Sequence, residues 1–210
     1  MTTESDVDAF AVGWSNGGYM VTLAAATMPG LFRAIAPISG YQYDLNAISP
    51  FGRSVSDRRD GTFAVPMFMQ HSRDDPMVRF EGCCDRQETH CCCGISKHGP
   101  RDGTCLDAEA GFRNWARDIN GCGGDGVKVT TEPVEKMGDV ELGEEGAGGV
   151  VLATGDVGVK CVEAKECVGR TVFCAHEGAG HFGNFARDFP LNMKLAIFEF
   201  FQQHASDGDA

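Results

Sequence analysis

The chain has 210 residues, with 18 Lys+Arg against 30 Asp+Glu and a formal net charge of −12 at pH 7. That acidic balance argues against nucleic acid or an anionic membrane surface as partner, and no apolar run approaches the roughly 18 residues of a spanning helix. Hydrophobic residues at 42 % and charged residues at 23 % are the balance of a globular domain, and one domain with a sizeable core is expected at this length.

The chain opens Met1-Thr2-Thr3-Glu4-Ser5-Asp6, polar and acidic where a secretory signal needs a basic and then an apolar stretch. Asp8-Ala9-Phe10-Ala11-Val12 then enters Gly13 and predicts a buried strand. Gly17 to Met28 is small and apolar and stops at Pro29-Gly30, which predicts a helix with a clear end. Ala34–Ile38 and Val65–Met69 predict two more strands. Phe112, Trp115, Ala116 and Ile119 recur at i, i+3, i+4 and i+7, the apolar face of a helix closed by Gly121. Gly138 to Gly149, rich in Gly and Glu, predicts a solvated loop. Thr171–Cys174 predicts a late strand, and a last helix beginning near Pro190 carries Met193, Ile197, Phe200 and Phe201 on one face. Strands alternating with helices predict an α/β layer architecture.

Gly13-Trp14-Ser15-Asn16-Gly17 matches G-x-S-x-G and stands between a predicted strand and a predicted helix, where the pattern has a mechanical meaning. A tight turn there strains the serine backbone, and the flanking glycines keep side chains out of the elbow. Ser15 is then presented at a helix N-terminus, where the Asn16 N–H can face a developing oxyanion. A serine nucleophile needs a base and an orienting acid, and on such a sheet these follow in the order acid, then histidine. Asp75 follows the strand Val65–Met69 in H-S-R-D-D-P-M-V, with Asp74 as the alternative acid. His181 lies in the glycine-rich E-G-A-G-H-F-G, a loop able to fold its imidazole over the elbow. His71, His176 and His204 are weaker candidates by position. The chemistry this predicts is two-step acyl transfer without a cofactor, with Trp14 and Tyr19 flanking the nucleophile as candidate lining of a substrate pocket or as packing.

Ten cysteines include five between Cys83 and Cys93, the others being Cys105, Cys122, Cys161, Cys167 and Cys174. The even count suits disulfides in an oxidising compartment, with a connectivity that spacing does not reveal. His90 and His98 among these thiols leave zinc as a rival, although C-C-x6-C-C-C is no usual pair of C-x2-C units, and reduced thiols are the third possibility. No N-x-S/T sequon occurs.

G-W-S-N-G-G-Y-M resembles the elbow G-x-S-x-G-G-x-M of the polyhydroxybutyrate depolymerase and feruloyl esterase family. V-P-M-F-M-Q-H-S-R-D-D-P-M-V-R-F-E-G resembles that family's strand and acid loop, and alignment on His71, Pro76 and Gly82 places the family's catalytic acid on Asp75. W-A-R-D-I-N-G-C, A-I-A-P-I-S-G and G-A-G-H-F-G are similar to further family segments, the last supplying the histidine as His181. The resemblance implies an α/β-hydrolase fold, with a mostly parallel sheet and helices on both faces. It also implies a secreted serine esterase acting on a polyester or on acyl groups of plant polysaccharide. Phe182, Gly183 and Ser72 depart from the family pattern, and the segment at about 83–105 reads as a Cys-rich insertion, a disulfide-tied cap near the cleft. In the family several strands and an H-G-x loop with a second oxyanion donor precede the elbow, whereas 14 residues precede Ser15 here. The expectation is therefore a single partial domain over 1–210 lacking the first strands, with any signal peptide upstream. An exposed sheet edge and a lost donor, at about 10²–10³ in rate, make a catalytically silent fragment or a carbohydrate- or partner-binding relic the alternative. A peptidase of the same fold is the third.

Overall fold

A computed structural model describes residues 8–28, 30–41, 64–82, 107–123, 129–134, 136–137, 140–141, 159–178, 180–181 and 191–205. The Cys-rich segment, Phe182, Gly183 and Pro190 lie outside the described residues. The elements in chain order are β1 (Phe10–Trp14), α1 (Asn16–Thr27), β2 (Ala34–Ile38), β3 (Met67–Ser72), α2 (Ala108–Asp118), β4 (Thr131–Pro133), β5 (Lys136–Met137), β6 (Val140–Glu141), β7 (Val159–Ala164), β8 (Thr171–His176) and α3 (Leu191–Gln202).

Six strands form one mixed sheet in the order β1-β2-β3-β8-β7-β4, and β5 pairs with β6 in a small hairpin. β1, β2, β3 and β8 run parallel, in line with near-continuous apolar strands such as Ala34–Ile38, which is buried at every residue. β7 is antiparallel to β8 and β4 antiparallel to β7. The class is α/β as expected, but the antiparallel flank has no counterpart among the predicted elements. Nor does β6, which places Val140–Glu141 in a strand inside the segment expected to be loop.

Helices cover both faces because each sheet face is apolar. On one, Ala25 and Ala26 of α1 and Phe112, Trp115 and Ala116 of α2 pack with Ile35, Met67, Met69 and Phe173. On the other, Met193, Ala196, Ile197 and Phe200 of α3 pack with Ala34, Ala36, Phe68 and Val172. α2 begins where the Asp107 carboxylate accepts the Ala110 N–H at 2.6 Å, a side-chain N-cap. Just past its end, Asn120 ties three segments together while fully buried. Its Oδ1 accepts the Val65 N–H at 2.8 Å, its Nδ2 donates to Thr171 Oγ1 at 2.6 Å, and its carbonyl accepts the Val168 N–H at 2.9 Å.

Two disulfides join described residues. Cys161–Cys174 links directly opposed positions of β7 and β8, and Cys122–Cys167 fastens the end of α2 to the turn between those strands. No helix among the described residues is long and apolar enough to cross a membrane.

Candidate active site

Ser15 occupies the turn from β1 into α1 with φ 53° and ψ −120°, a region that costs a non-glycine residue on the order of 1–3 kcal/mol. Its N–H donates to the Ile38 carbonyl at 2.8 Å, and its own carbonyl accepts from Gly18 and Tyr19, so backbone bonds on both sides fix the strained turn. Serine at a helix N-cap ordinarily turns its hydroxyl onto the first-turn amides. Here the side chain makes no cap bond, and Oγ lies 3.0 Å from His181 Nε2 instead.

The two motif glycines are not equivalent. A Cβ on Gly13 would come within 2.1 Å of the Gly17 carbonyl oxygen, whereas one on Gly17 would meet nothing within 4 Å. The expectation that both keep the elbow clear holds for Gly13 and fails for Gly17. Further close approaches around the elbow are at Gly18, against the Gly40 carbonyl, and at Gly40, against the Ser15 carbonyl. Gly13→Ala should therefore destabilise the fold by about 1–3 kcal/mol through overpacking and lower any Ser15-dependent rate by about 10²-fold through misplacement. Gly17→Ala, at a helical position, should gain about 0.5–1 kcal/mol. Chemical unfolding of the two variants beside the wild type checks both.

The acid arrives from the turn after β3. Asp75 is buried; its Oδ1 accepts the Met77 and Val78 N–H groups at 2.8 and 2.9 Å, and its Oδ2 lies 2.7 Å from His181 Nδ1. A carboxylate can only accept here, so Nδ1 carries the ring proton and Nε2 is left to accept from Ser15 Oγ–H. Asp74, next in sequence, does not touch the imidazole. Its Oδ1 accepts from the Ser72 hydroxyl and from the Gly178 and Gly180 N–H groups. Partial burial pushes the Asp74 carboxyl up, but the bonds from Ser72 and the two glycine amides outweigh it and hold the group below its ordinary value.

His181 follows β8 on a turn where Gly178 and Gly180 take φ of +81° and +55°, conformations open to glycine. The Trp14 indole lies against the His181 ring with centroids 5.1 Å apart, and its Nε1–H donates to the His181 carbonyl at 3.1 Å. Trp14 thus supports the histidine. Tyr19, partly buried, packs on the α1–α2 side of the core and faces the Tyr41 ring at 6.4 Å. Asn16 begins α1 and offers one of the N–H groups that a helix leaves without an intrahelical acceptor, beside Ser15. Ser15, Asp75 and His181 are joined, in that chain order, at the C-terminal ends of the parallel strands β1, β3 and β8.

The other histidines stand elsewhere. His71 is fully buried on β3 between Tyr41 and Phe80, its Nε2–H donating to the Val78 carbonyl at 2.8 Å. That bond stiffens the same turn that presents Asp75. His176 is buried at the end of β8, and His204 lies at the end of α3 against Phe200. Burial lowers the His71 pKa, so the folded chain resists a proton that the unfolded chain binds below about pH 6.5. Stability from this group is full above that value and is lost as pH falls from there toward the lowered folded pKa. His71→Gln, which keeps a donor for Val78, should remove a slope approaching about 1.4 kcal/mol per pH unit from the acid limb of urea-unfolding stability.

Among the described residues no cluster of three or more His, Cys, Asp or Glu is arranged to hold a metal ion. The cysteines and histidines behind the zinc alternative, 83–98, lie outside the described residues. No protein-family model and no curated protein matches this chain.

Proposed function

We propose that the protein is a serine esterase of α/β-hydrolase type, with Ser15 as nucleophile, His181 as general base and acid, and Asp75 as the group that orients the imidazole. The observation that carries this reading is the unbroken chain Asp75 Oδ2–His181 Nδ1 at 2.7 Å and His181 Nε2–Ser15 Oγ at 3.0 Å, on a serine whose backbone is strained and whose hydroxyl caps nothing. The motif resemblance described above supports ester rather than peptide substrates.

In the first step Ser15 Oγ attacks the ester carbonyl carbon while His181 Nε2 takes the hydroxyl proton. The tetrahedral oxyanion faces the Asn16 N–H, and buried Asp75 stabilises the imidazolium without taking its proton. Collapse breaks the bond to the alcohol, which leaves with the proton held on Nε2, and the acyl group stays on Ser15. Water, deprotonated by the same Nε2, then releases the carboxylic acid. The disulfides Cys122–Cys167 and Cys161–Cys174 support action outside the reducing cytosol.

The test is turnover of a short-chain nitrophenyl ester, a feruloyl ester, a 3-hydroxybutyrate oligomer and a matched amide. Turnover of one or more esters in preference to the amide is expected. Cleavage of the amide at a comparable rate would indicate a peptidase, and polysaccharide binding with no turnover would indicate a silent binding relic.

A further inference from the structure

The geometry points to a division of labour between the adjacent carboxylates, in which Asp74 is the positioning residue for His181 and acts through its loop, while Asp75 acts on its ring. The inference rests on the triad reading above and concerns what keeps that triad assembled.

A histidine carried by E-G-A-G-H-F-G starts from a loop with unusual conformational freedom, because glycine loses more backbone entropy on ordering than any other residue. Gly178 and Gly180 both take left-handed conformations. The Asp75 bond to Nδ1 acts on the ring and the Trp14 indole on the His181 carbonyl, and neither bonds the glycine amides that lead to it. Asp74 meets that need directly. A single oxygen, Oδ1, accepts from Gly178 N at 3.1 Å and Gly180 N at 3.2 Å, across more than a hundred residues of chain. The same oxygen is held in place by the Ser72 hydroxyl, fully buried at the end of β3. The Arg73 N–H to His176 carbonyl bond, 2.8 Å, joins the two strand ends from which both partners emerge. Ser72, Asp74, Gly178 and Gly180 therefore form a latch from the acid turn to the histidine turn. Hydrogen bonds to an ionised acceptor are shorter and stronger than neutral ones, so the carboxylate suits the role better than a neutral acceptor.

The test compares steady-state hydrolysis of a nitrophenyl ester by the 210-residue chain and its Ser15→Ala, Asp74→Ala and Asp74→Asn variants. Loss of the latch should lower kcat by about ten- to a hundredfold, as small displacements of catalytic groups do, with KM within about twofold. Asp74→Asn retains an amide oxygen in the accepting position and should recover to within about fivefold of the wild type. If Ser15→Ala is inactive while Asp74→Ala keeps kcat within twofold, the latch is overturned and the triad stands. If Ser15→Ala hydrolyses the ester at the wild-type rate, the triad reading and the latch fall together. Should Asp74→Ala not fold, amide hydrogen exchange in the wild type decides. Gly178 and Gly180 N–H groups protected relative to Glu177 support the latch, and exchange as fast as Glu177 overturns it.

Discussion

Ser15→Ala should bring ester hydrolysis down by roughly 10⁴–10⁶-fold in kcat, the loss that follows removal of the nucleophile from a serine triad. This is about 5–8 kcal/mol of transition-state stabilisation, and it should come without loss of the fold. The Ser15 hydroxyl caps no helix amide and bonds His181, whereas the turn is held by backbone bonds to Ile38, Gly18 and Tyr19 that alanine keeps. A variant that is folded and inactive is the expected combination. Initial rates with a nitrophenyl ester, read beside a thermal melt, measure both halves, and a rate equal to the wild type would remove Ser15 from the chemistry.

Asp75→Asn should cost on the order of 10⁴-fold in kcat, about 5 kcal/mol, with little change in substrate affinity. The argument follows from what each oxygen does. Oδ1 is committed to the Met77 and Val78 N–H groups, so an asparagine keeps its carbonyl oxygen there and turns its NH₂ toward His181 Nδ1. Two donors cannot face each other, and the imidazole must shift its proton to Nε2. That nitrogen then cannot accept from Ser15 Oγ, and the base is lost although every heavy atom is still in place. Asp74 cannot substitute, because its Oδ1 is engaged by the Gly178 and Gly180 amides. Asp75→Asn and Asp74→Asn therefore separate the two carboxylates: the first should be nearly inactive and the second nearly wild type, as measured by kcat for the same ester.

In β2, β3 and β8 the parallel half of the fold was legible because burial there is uniform, whereas β1, expected to be buried, lies at the sheet edge and is exposed or half-buried at every residue but Gly13. Ala34–Ile38 reads as a strand and is β2 residue for residue, and the i, i+3, i+4, i+7 positions of α2 are all buried. β1 and β3 each begin two residues later than expected, and the end of β3 moved because polar residues lie inside it. β3 runs on through Gln70, His71 and Ser72, all fully buried, where an apolar criterion stops at Met69. The antiparallel flank was illegible for the same reason in reverse. β7, Val-Lys-Cys-Val-Glu-Ala, is half exposed and carries two charges, and β4 is exposed at all three residues and ends on Pro133, as suits a sheet edge.

The candidate site was legible as a set of residue types in a meaningful order, since Ser15, Asp75 and His181 sit on segments whose strand-and-turn pattern is visible locally. What spacing could not supply was direction. Adjacent aspartates look alike in sequence, and only the turn geometry sends one carboxylate to the imidazole and the other to the loop backbone. Nor could spacing show that the Trp14 indole supports His181 while Tyr19 packs against the core, or pair Cys161 with Cys174 between the adjacent strands β7 and β8.

The most direct measurement of the central claim is reaction of the intact chain with a fluorophosphonate, followed by peptide mass mapping. One phosphonyl group per chain, on the peptide holding Gly13-Trp14-Ser15-Asn16-Gly17 and absent from Ser15→Ala, is the predicted result. An adduct on another residue, or a wild-type Ser15 left unmodified after prolonged exposure, would contradict it.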